Sequence, residues 1–352
     1  MKRRVIIPIA GLLGSLFVTG QAHAQGSVTL YGILDADVQY LNHARAANGS
    51  GASQITAGSG GEYGSRFGMR GRENLGGGLS ALFVLEQGYT INNGAATDST
   101  RQFGRLSYVG IDSSYGALTL GRQYSALFDI IAPYLPQIRS TTFEPYAQAI
   151  NNYIDNSIKY TAHAGGLTFV GLAALGGVAG NFRAGASYSA GINYAQGPWS
   201  IAVAADQSNT AASTTAPVGS VGKVWRVDAG GSYVIGKATI NLGYKWGRTE
   251  NALSAVTQRD AMYWGGVRYR FTPSFDALIA YYYQDLRLAN GRDPANPEQV
   301  TVQTNYLLSK ATAVYAAVSH TWHSAMNFGA VSTLGNGYTD QTGVAIGMRH
   351  FF

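Results

Sequence analysis

The chain has 352 residues and no cysteine, and only 12% of its residues are charged. This is about half the usual share for a soluble domain, which argues against a protein that meets water on every side. The formal net charge is +6, but without Lys2, Arg3 and Arg4, 22 basic residues remain against 19 acidic ones, a balance of +3. So small an excess gives little support to a nucleic-acid partner, and we expect none.

The first 24 residues have the features of an export signal. The basic start is followed by an apolar run over residues 5–18 and by the small-residue site Ala22-His23-Ala24. We predict that residues 1–24 are a signal peptide and that residues 25–352 form one domain. No later segment contains about 18 consecutive apolar residues, so only a closed barrel could carry the rest of the chain across a membrane.

Alternation of apolar and polar residues dominates the chain from Ser27 onward. In the clearest case, Ala238, Ile240, Leu242, Tyr244 and Trp246 alternate with Thr239, Asn241, Gly243 and Lys245. A period of two is typical of a strand with one apolar and one polar face. Soluble sandwiches and propellers also alternate, but the charged residues on the expected inner faces would not be satisfied in a packed core.

The connections between these strands are of two lengths. Seven are short or glycine-rich, and eight are longer and polar, the first of them predicted over 43–61. Short turns at one end and long loops at the other are typical of outer-membrane barrels. The pattern predicts an all-β fold, a 16-stranded antiparallel transmembrane β-barrel.

One connection, the segment between Gly121 and Tyr160, has an unpatterned middle that contains Pro133, Pro136 and Pro145. A loop of this length inside a compact domain usually has a function. We predict that residues of about 126–152 fold inward and narrow the bore as a constriction loop.

Several stretches resemble a known family. SVTLYGILDADVQY, SRFGMRGRENLGGGLSALFVLEQGY, YGALTLGRQYS, DNSIKY and the terminal GMRHFF are similar to the trimeric sixteen-stranded general porins of Gram-negative outer membranes, especially those of β-proteobacteria. The resemblance implies a homotrimer in the cell outer membrane, surrounded by outer-membrane lipid and lipopolysaccharide. It implies passive diffusion of small ions and hydrophilic solutes, with no enzymatic activity and no cofactor.

Charged rings and the pore diameter set the selectivity of such a channel. Alternation places Arg66 and Arg70 on the inner face of one strand, Arg105 on that of another, and Asp155 and Lys159 on that of a third. These residues are the expected constriction, with a basic wall of Arg66, Arg70, Arg105, Arg122 and Lys159.

Arg122 does not follow the alternation. Parity with Leu118 and Leu120 places it on the lipid side, where an arginine at mid-membrane costs roughly 2–4 kcal/mol. The resemblance of GRQYS to the family's arginine before the constriction loop places it inside, and a β-bulge near Gly121 would turn it there. We adopt the inward orientation.

The loop side is expected to supply the opposing charge. Its candidates are Asp129, Tyr134, Glu144 and Asp155, and the sequence does not decide between Asp129 and Glu144. The acidic-Phe-Gly cluster of enterobacterial porins is absent, and tyrosines are expected to line the opening instead. Because basic groups outnumber acidic ones, we predict a modest anion preference.

Two other functions stay open. A substrate-specific channel would need an aromatic ladder in the lumen, and an outer-membrane enzyme would need a Ser/His/Asp or paired-carboxylate set, which the sequence does not offer. His320 and His323 are three residues apart on a strand and so point to opposite faces. We therefore expect no metal site.

Overall fold

The computed structural model describes residues 26–137, 142–145, 152–215, 217–289 and 295–352. The predicted signal peptide over 1–24 lies outside these residues. Among the described residues, no helix is both long and apolar enough to cross a membrane.

In the described part of the chain, seventeen strand segments form one closed antiparallel sheet. They are β1 (Ser27–Arg45), β2 (Gly51–Ser59), β3 (Arg66–Gly76), β4 (Leu79–Gly88), β5 (Leu106–Ser113), β6 (Gly116–Tyr124), β7 (Tyr153–Ala164), β8 (Leu167–Ala174), β9 (Ser187–Gln196), β10 (Trp199–Asn209), β11 (Lys223–Ile235), β12 (Ala238–Glu250), β13 (Val256–Thr272), β14 (Phe275–Leu288), β15 (Glu298–Leu307), β16 (Thr312–Trp322) and β17 (Asp340–Phe351). The barrel closes where β1 pairs with β17, with Val38 opposite Ile346.

The segments β2 and β3 are two halves of one barrel strand. Both pair with β1, β2 along its second half and β3 along its first. Between them, Asp35 accepts hydrogen bonds from the backbone N–H groups of Glu62 and Tyr63 at 3.1 and 2.6 Å. The barrel therefore has sixteen strands, which confirms the prediction.

Two of the predicted long connections are short hairpins. Residues 51–59, predicted within a loop over 43–61, form β2, so that only residues 46–50 join β1 to β2. Likewise, only residues 251–255 join β12 to β13. Polar residues continue the strands beyond the apolar band, and polarity alone therefore misplaced these strand ends.

The alternation separates an outer face from an inner one. In β12, Leu242 is 60% exposed and Tyr244 36%, whereas Asn241 is 8% and Lys245 2% exposed. Apolar side chains that face outward contact the hydrocarbon of the membrane, whereas polar side chains that face inward lie in the polar interior of the barrel. Aromatic rings pack together near the strand ends, as Trp199 and Tyr233 do at 4.2 Å between ring centroids.

The long connection after β6 folds into the barrel. It begins with the helix α1 (Ala126–Ile131), whose N-cap Ser125 accepts a hydrogen bond from the backbone N–H of Phe128 at 3.0 Å. A 3-10 turn, Ala132–Tyr134, follows. The constriction loop thus enters the lumen as predicted, although residues 138–141 and 146–151 lie outside the described part.

The loop is held against the wall by an apolar interface. Leu127, Ile131 and Leu135 of the loop are fully buried in one cluster with wall residues; the larger ones are Val170, Leu172, Met262, Trp264, Leu278 and Tyr282. Burial of such a side chain contributes about 1.5–3 kcal/mol. We expected a polar inner face throughout, but beneath the loop it is apolar because the loop replaces water there.

Candidate functional site

Two arginines share one carboxylate on the inner wall opposite the loop. Arg105, just before β5, donates from Nε to Glu86 Oε1 at 2.6 Å, and Arg66 Nε lies 3.8 Å from Glu86 Oε2. Tyr31 donates its hydroxyl proton to the same Oε2 at 3.0 Å. Glu86 is only 4% exposed, and its single negative charge must hold two guanidinium groups together.

Arg122 also lies beside a carboxylate of the interior. It donates from Nη1 to Asp155 Oδ1 at 2.5 Å and from Nε to the carbonyl of Gly104 at 2.7 Å. The pairing of β6 with β7 is irregular between Gly121 and Gln123. Gly121 has a φ of 136°, which favours glycine, and the extra residue of this bulge belongs to β7, where Asn156 has a φ of 53°.

An aromatic ring separates the two halves of this site. The guanidinium carbons of Arg105 and Arg122 lie 5.4 and 5.3 Å from the centroid of Tyr153. Tyr124 stacks on Tyr153 at 5.0 Å and accepts a hydrogen bond from Arg105 Nη2 at 2.9 Å. Cation–π contact stabilises like charges side by side where only a few carboxylates are available.

A further arginine reaches the site from the connection between β4 and β5. Arg101 Nη2 donates to Asp155 Oδ2 at 2.9 Å, so Asp155 bridges Arg101 and Arg122. Arg101 Nη1 also donates to Asp98 at 2.7 Å. Hydrogen bonds from Thr100 and Arg101 lower the pKa of Asp98 to about 2. We call Arg66, Arg101, Arg105 and Arg122 the arginine cluster.

The other predicted basic residues have separate environments. Lys159 Nζ lies 2.8 Å from Asp129 Oδ2 on α1, which makes a neutral pair that joins the loop to β7. Arg70 lies on the exposed inner face of β3 with its guanidinium 5.3 Å from the ring centroid of Tyr31. Lys159 therefore adds no net charge beside the loop, whereas Arg70 extends the basic wall toward the short turns.

The remaining loop residues contact the opposite wall. Tyr134 is 1% exposed, and its hydroxyl contacts Ser200 and Asn193. Glu144 is fully buried and accepts a hydrogen bond from the hydroxyl of Tyr282 at 3.0 Å. The structure therefore brings Asp155 to the arginine cluster, but it brings neither Asp129, Tyr134 nor Glu144 there.

Glu86 is the site residue that sequence reasoning missed, together with Arg101. In the β3–β4 hairpin, Gly68 pairs with Glu86 and Arg66 with Gly88. Directly paired residues share a face, but a count outward from the turn at residues 77–78 would have placed Glu86 opposite Met69, because an irregularity between Asn74 and Gly76 shifts the register by one residue. Arg101 carries no strand signal either, because it lies in a connection.

The arrangement can attract and orient anions. Four guanidinium groups share Glu86, Asp155 and Asp98, and Arg70 adds a fifth, so the wall carries excess positive charge. Planar guanidinium groups match carboxylates and phosphates in geometry. Within the described ranges, no group of histidine and acidic side chains could hold a metal ion.

Comparisons with known proteins agree with the barrel fold. The model of a family described as Gram-negative porin matches residues 11–326. An outer membrane porin protein of Bordetella pertussis is 29% identical over 390 residues, which cover 95% of this chain and 96% of that protein. An outer membrane porin protein of Delftia acidovorans is 42% identical over 110 residues, 31% of this chain and 30% of the relative. The solved anion-selective porin from Comamonas acidovorans has a TM-score of 0.79 and 25% identity, and the match covers 93% of this chain and all of that one.

Proposed function

The chain belongs to the Gram-negative porin family, and we propose that it is a general diffusion porin of the outer membrane with a modest preference for anions. Ions and small hydrophilic solutes pass down their gradients, and the charge and width of the constriction select among them. Members of this family are channels, and no bond chemistry is assigned to the site.

One observation carries the anion preference. Arg105 and Arg122 lie on the same tyrosine ring, and each shares its nearest carboxylate with another arginine. A passing anion therefore meets guanidinium groups that are only partly neutralised. The likeness to the anion-selective porin from Comamonas acidovorans supports the same sign.

The constriction in this proposal differs from a simple two-sided field. The basic wall consists of Arg66, Arg70, Arg105 and Arg122, and the acidic groups lie among the arginines as Glu86 and Asp155. Lys159 and Asp129 form an ion pair without net charge that holds the loop over about 126–152 to the wall. Tyr134 and Glu144 contribute by fixing the loop to the far wall, which sets the width of the opening.

The proposal includes processing and assembly. Residues 1–24 are removed on export and residues 25–352 form one barrel domain, which N-terminal sequencing of the protein from outer membranes would test. Three copies associate through their outer faces, where an exposed small residue such as Ala36 allows close approach; Gly32 and Gly71 are instead covered by the rings of Phe352 and Phe83 of the same chain. Light scattering of the detergent-solubilised protein would measure the number of copies. Outer-membrane lipid and lipopolysaccharide surround the assembly.

Reversal potentials in planar bilayers under a salt gradient test the function. The wild type should favour chloride, and the Arg66→Ala/Arg105→Ala variant should lose most of that preference. Lys237→Ala/Lys310→Ala, which removes two charges at exposed positions of the short turns, is the matched control and should not change it. Cation preference in the wild type, or an unchanged ratio in the arginine variant, would refute the proposal. Conductance with and without saturating sugars or organic acids would identify a substrate-specific channel.

A further inference from the structure

Three arginines lie in a row on the outside of the barrel. In the strand register, Arg248 of β12 is directly opposite Arg259 of β13, and Arg259 is directly opposite Arg287 of β14. They share the outward parity of Tyr244 and Tyr263, which are 36% and 48% exposed. Like charges directly opposite each other destabilise neighbouring strands, so a counter-charge from outside would stabilise this row.

Carboxylates of the described residues are fewer than the basic side chains of the row. Arg248 Nη2 lies 2.6 Å from Glu250 Oε1, and Arg287 Nη2 lies 3.0 Å from Asp285 Oδ2. Within the described part of the chain, no carboxylate pairs with Arg259, and the buried Nε of Arg248 has no hydrogen-bond partner.

A fourth basic residue extends the row toward β11. Lys223 pairs directly with Glu250 in the register. Four basic side chains, Lys223, Arg248, Arg259 and Arg287, therefore surround two acidic ones, Glu250 and Asp285. Among the described residues, this leaves two more basic than acidic side chains on one small outer surface.

The row lies at the level where a membrane changes from hydrocarbon to head groups. Below it, toward the short turns, the rings of Tyr244, Tyr263 and Tyr283 form a chain with centroid separations of 4.9 and 6.1 Å. Aromatic girdles mark the lipid–water boundary of barrels. The hairpin over residues 251–255 follows directly above, which places the arginines at the outer-leaflet surface.

A pocket between the arginines gives this surface a shape. Its volume is about 180 Å³, and it is lined by Trp246, Arg259, Asp260, Ala261, Asp285 and Arg287. The carboxylate of Asp260 is already paired with Lys245 of the inner face. An apolar floor with guanidinium groups at its rim suits a ligand that has an acyl portion below and an anionic group above.

We propose that this arginine row binds the phosphate groups of the phosphorylated glycolipid in the outer leaflet, a lipid A-type molecule. The inference rests on the proposed outer-membrane function and adds a lipid site to it. Guanidinium groups bind phosphate oxygens through paired hydrogen bonds, and the tyrosine chain below contacts the acyl region. A second copy of the chain could bind this row only by placing carboxylates opposite the arginines. The phosphate groups of the glycolipid already lie at the outer-leaflet surface, where the row is.

The test compares lipid binding by the delipidated full-length barrel, measured by native mass spectrometry. The variant Arg248→Gln/Arg259→Gln/Arg287→Gln removes the charges but keeps the side-chain length. Lys237→Gln/Arg270→Gln/Lys310→Gln removes as many charges at the short-turn end and is the control. The probes are bisphosphorylated lipid A, the same lipid without phosphates, and phosphatidylglycerol.

Wild type and control should bind bisphosphorylated lipid A at least about tenfold more tightly than the arginine variant, since each basic residue near an anionic head group strengthens binding about fivefold. If the triple variant does not fold, Arg259→Gln alone should weaken binding about fivefold. Channel conductance should not change in any variant, which separates this proposal from the proposed function.

Three results would overturn the inference. The first is equal binding of phosphorylated and dephosphorylated lipid A by the wild type. The second is equal binding of lipid A and phosphatidylglycerol, which would indicate a general attraction to anionic lipid. The third is loss of subunit association in the arginine variant with lipid A binding intact, which would assign the row to a contact between copies.

Discussion

Arg105 donates a hydrogen bond to Glu86 at 2.6 Å, and this carboxylate is also the nearest acidic group to Arg66. Because Glu86 is 4% exposed, its charge is poorly screened by water and acts directly on the two guanidinium groups. It is therefore the group that limits how strongly the basic wall attracts anions.

Replacement of Glu86 by glutamine should raise the preference for anions. Glutamine keeps the shape of the side chain but leaves Arg66 and Arg105 without a shared negative charge. The ratio of chloride to potassium permeability, from reversal potentials in a salt gradient, should increase by a factor of about two or more, since a charge change near the path acts at low effective dielectric. Glu73→Gln, at the exposed short-turn end of β3, removes the same charge and should have no effect. A lower ratio for Glu86→Gln would contradict the assignment.

Removal of both charges of the Lys159–Asp129 pair should leave the anion preference unchanged. The two atoms that pair lie 2.8 Å apart, so removing both charges leaves the local net charge unchanged. The double variant Lys159→Met/Asp129→Asn should keep the wild-type permeability ratio, whereas Lys159→Met alone should shift it toward cations. A shift of equal size in both variants would mean that Lys159 acts on ions directly rather than through the pair.

The close approach of the loop to β11 can be tested at two adjacent glycines. A Cβ atom added at Gly230 would lie 2.7 Å from Cγ of Tyr134, whereas one at Gly231 has only the carbonyl oxygen of Ser200 within reach, at 3.8 Å. Gly230→Ala should lower the free energy of unfolding by about 1–3 kcal/mol, as overpacking does, and should change the single-channel conductance because the loop is displaced.

Gly231→Ala is the matched control for that substitution. It faces outward with open space around it, and it should leave both the urea midpoint in detergent and the conductance within error. Equal effects of the two alanines would show that the loop does not press on the wall at Gly230.

Arg101 anchors the connection between β4 and β5 to the interior. Arg101→Gln removes its contacts with Asp98 and Asp155, at 2.7 and 2.9 Å, and residues 98–104 should then exchange amide hydrogens faster. Arg183→Gln, in another exposed connection, should leave exchange in this segment unchanged. If residues 98–104 exchange at the wild-type rate in Arg101→Gln, the anchor lies elsewhere.

The same anchor should persist in mild acid. The hydrogen bonds from Thr100 and Arg101 lower the pKa of Asp98 to about 2. A carboxyl whose pKa is lowered on folding contributes its stabilisation above its unfolded pKa and loses it as the pH falls through the folded value. Protection of residues 98–104, corrected for intrinsic exchange rates, should therefore be the same at pH 7 and pH 5 and should fall only between about pH 4 and pH 2.

The sequence by itself determined the barrel. A side-chain period of two is imposed by strand geometry, so alternation identified the inner and outer faces, and the count of turns and loops predicted sixteen strands. It also predicted the loop that enters the lumen. Arg66 was found for the same reason, because it lies on the inner face of β3. Arg105 precedes β5 and Asp155 lies at the bulge of β7, so alternation found them only by extending the pattern beyond regular pairing.

Only the tertiary structure decided which charges meet. The contact between Arg101 and Asp155 joins residues 54 apart, and no local pattern predicts such a pair. The apolar wall beneath the loop arises because residues from β8, β13 and β14 face the same inserted loop, although each strand alone shows ordinary alternation. The row Arg248–Arg259–Arg287 likewise exists only through the register of three strands. Local patterns set the direction of a side chain, whereas its partners follow from how distant strands align when the barrel closes.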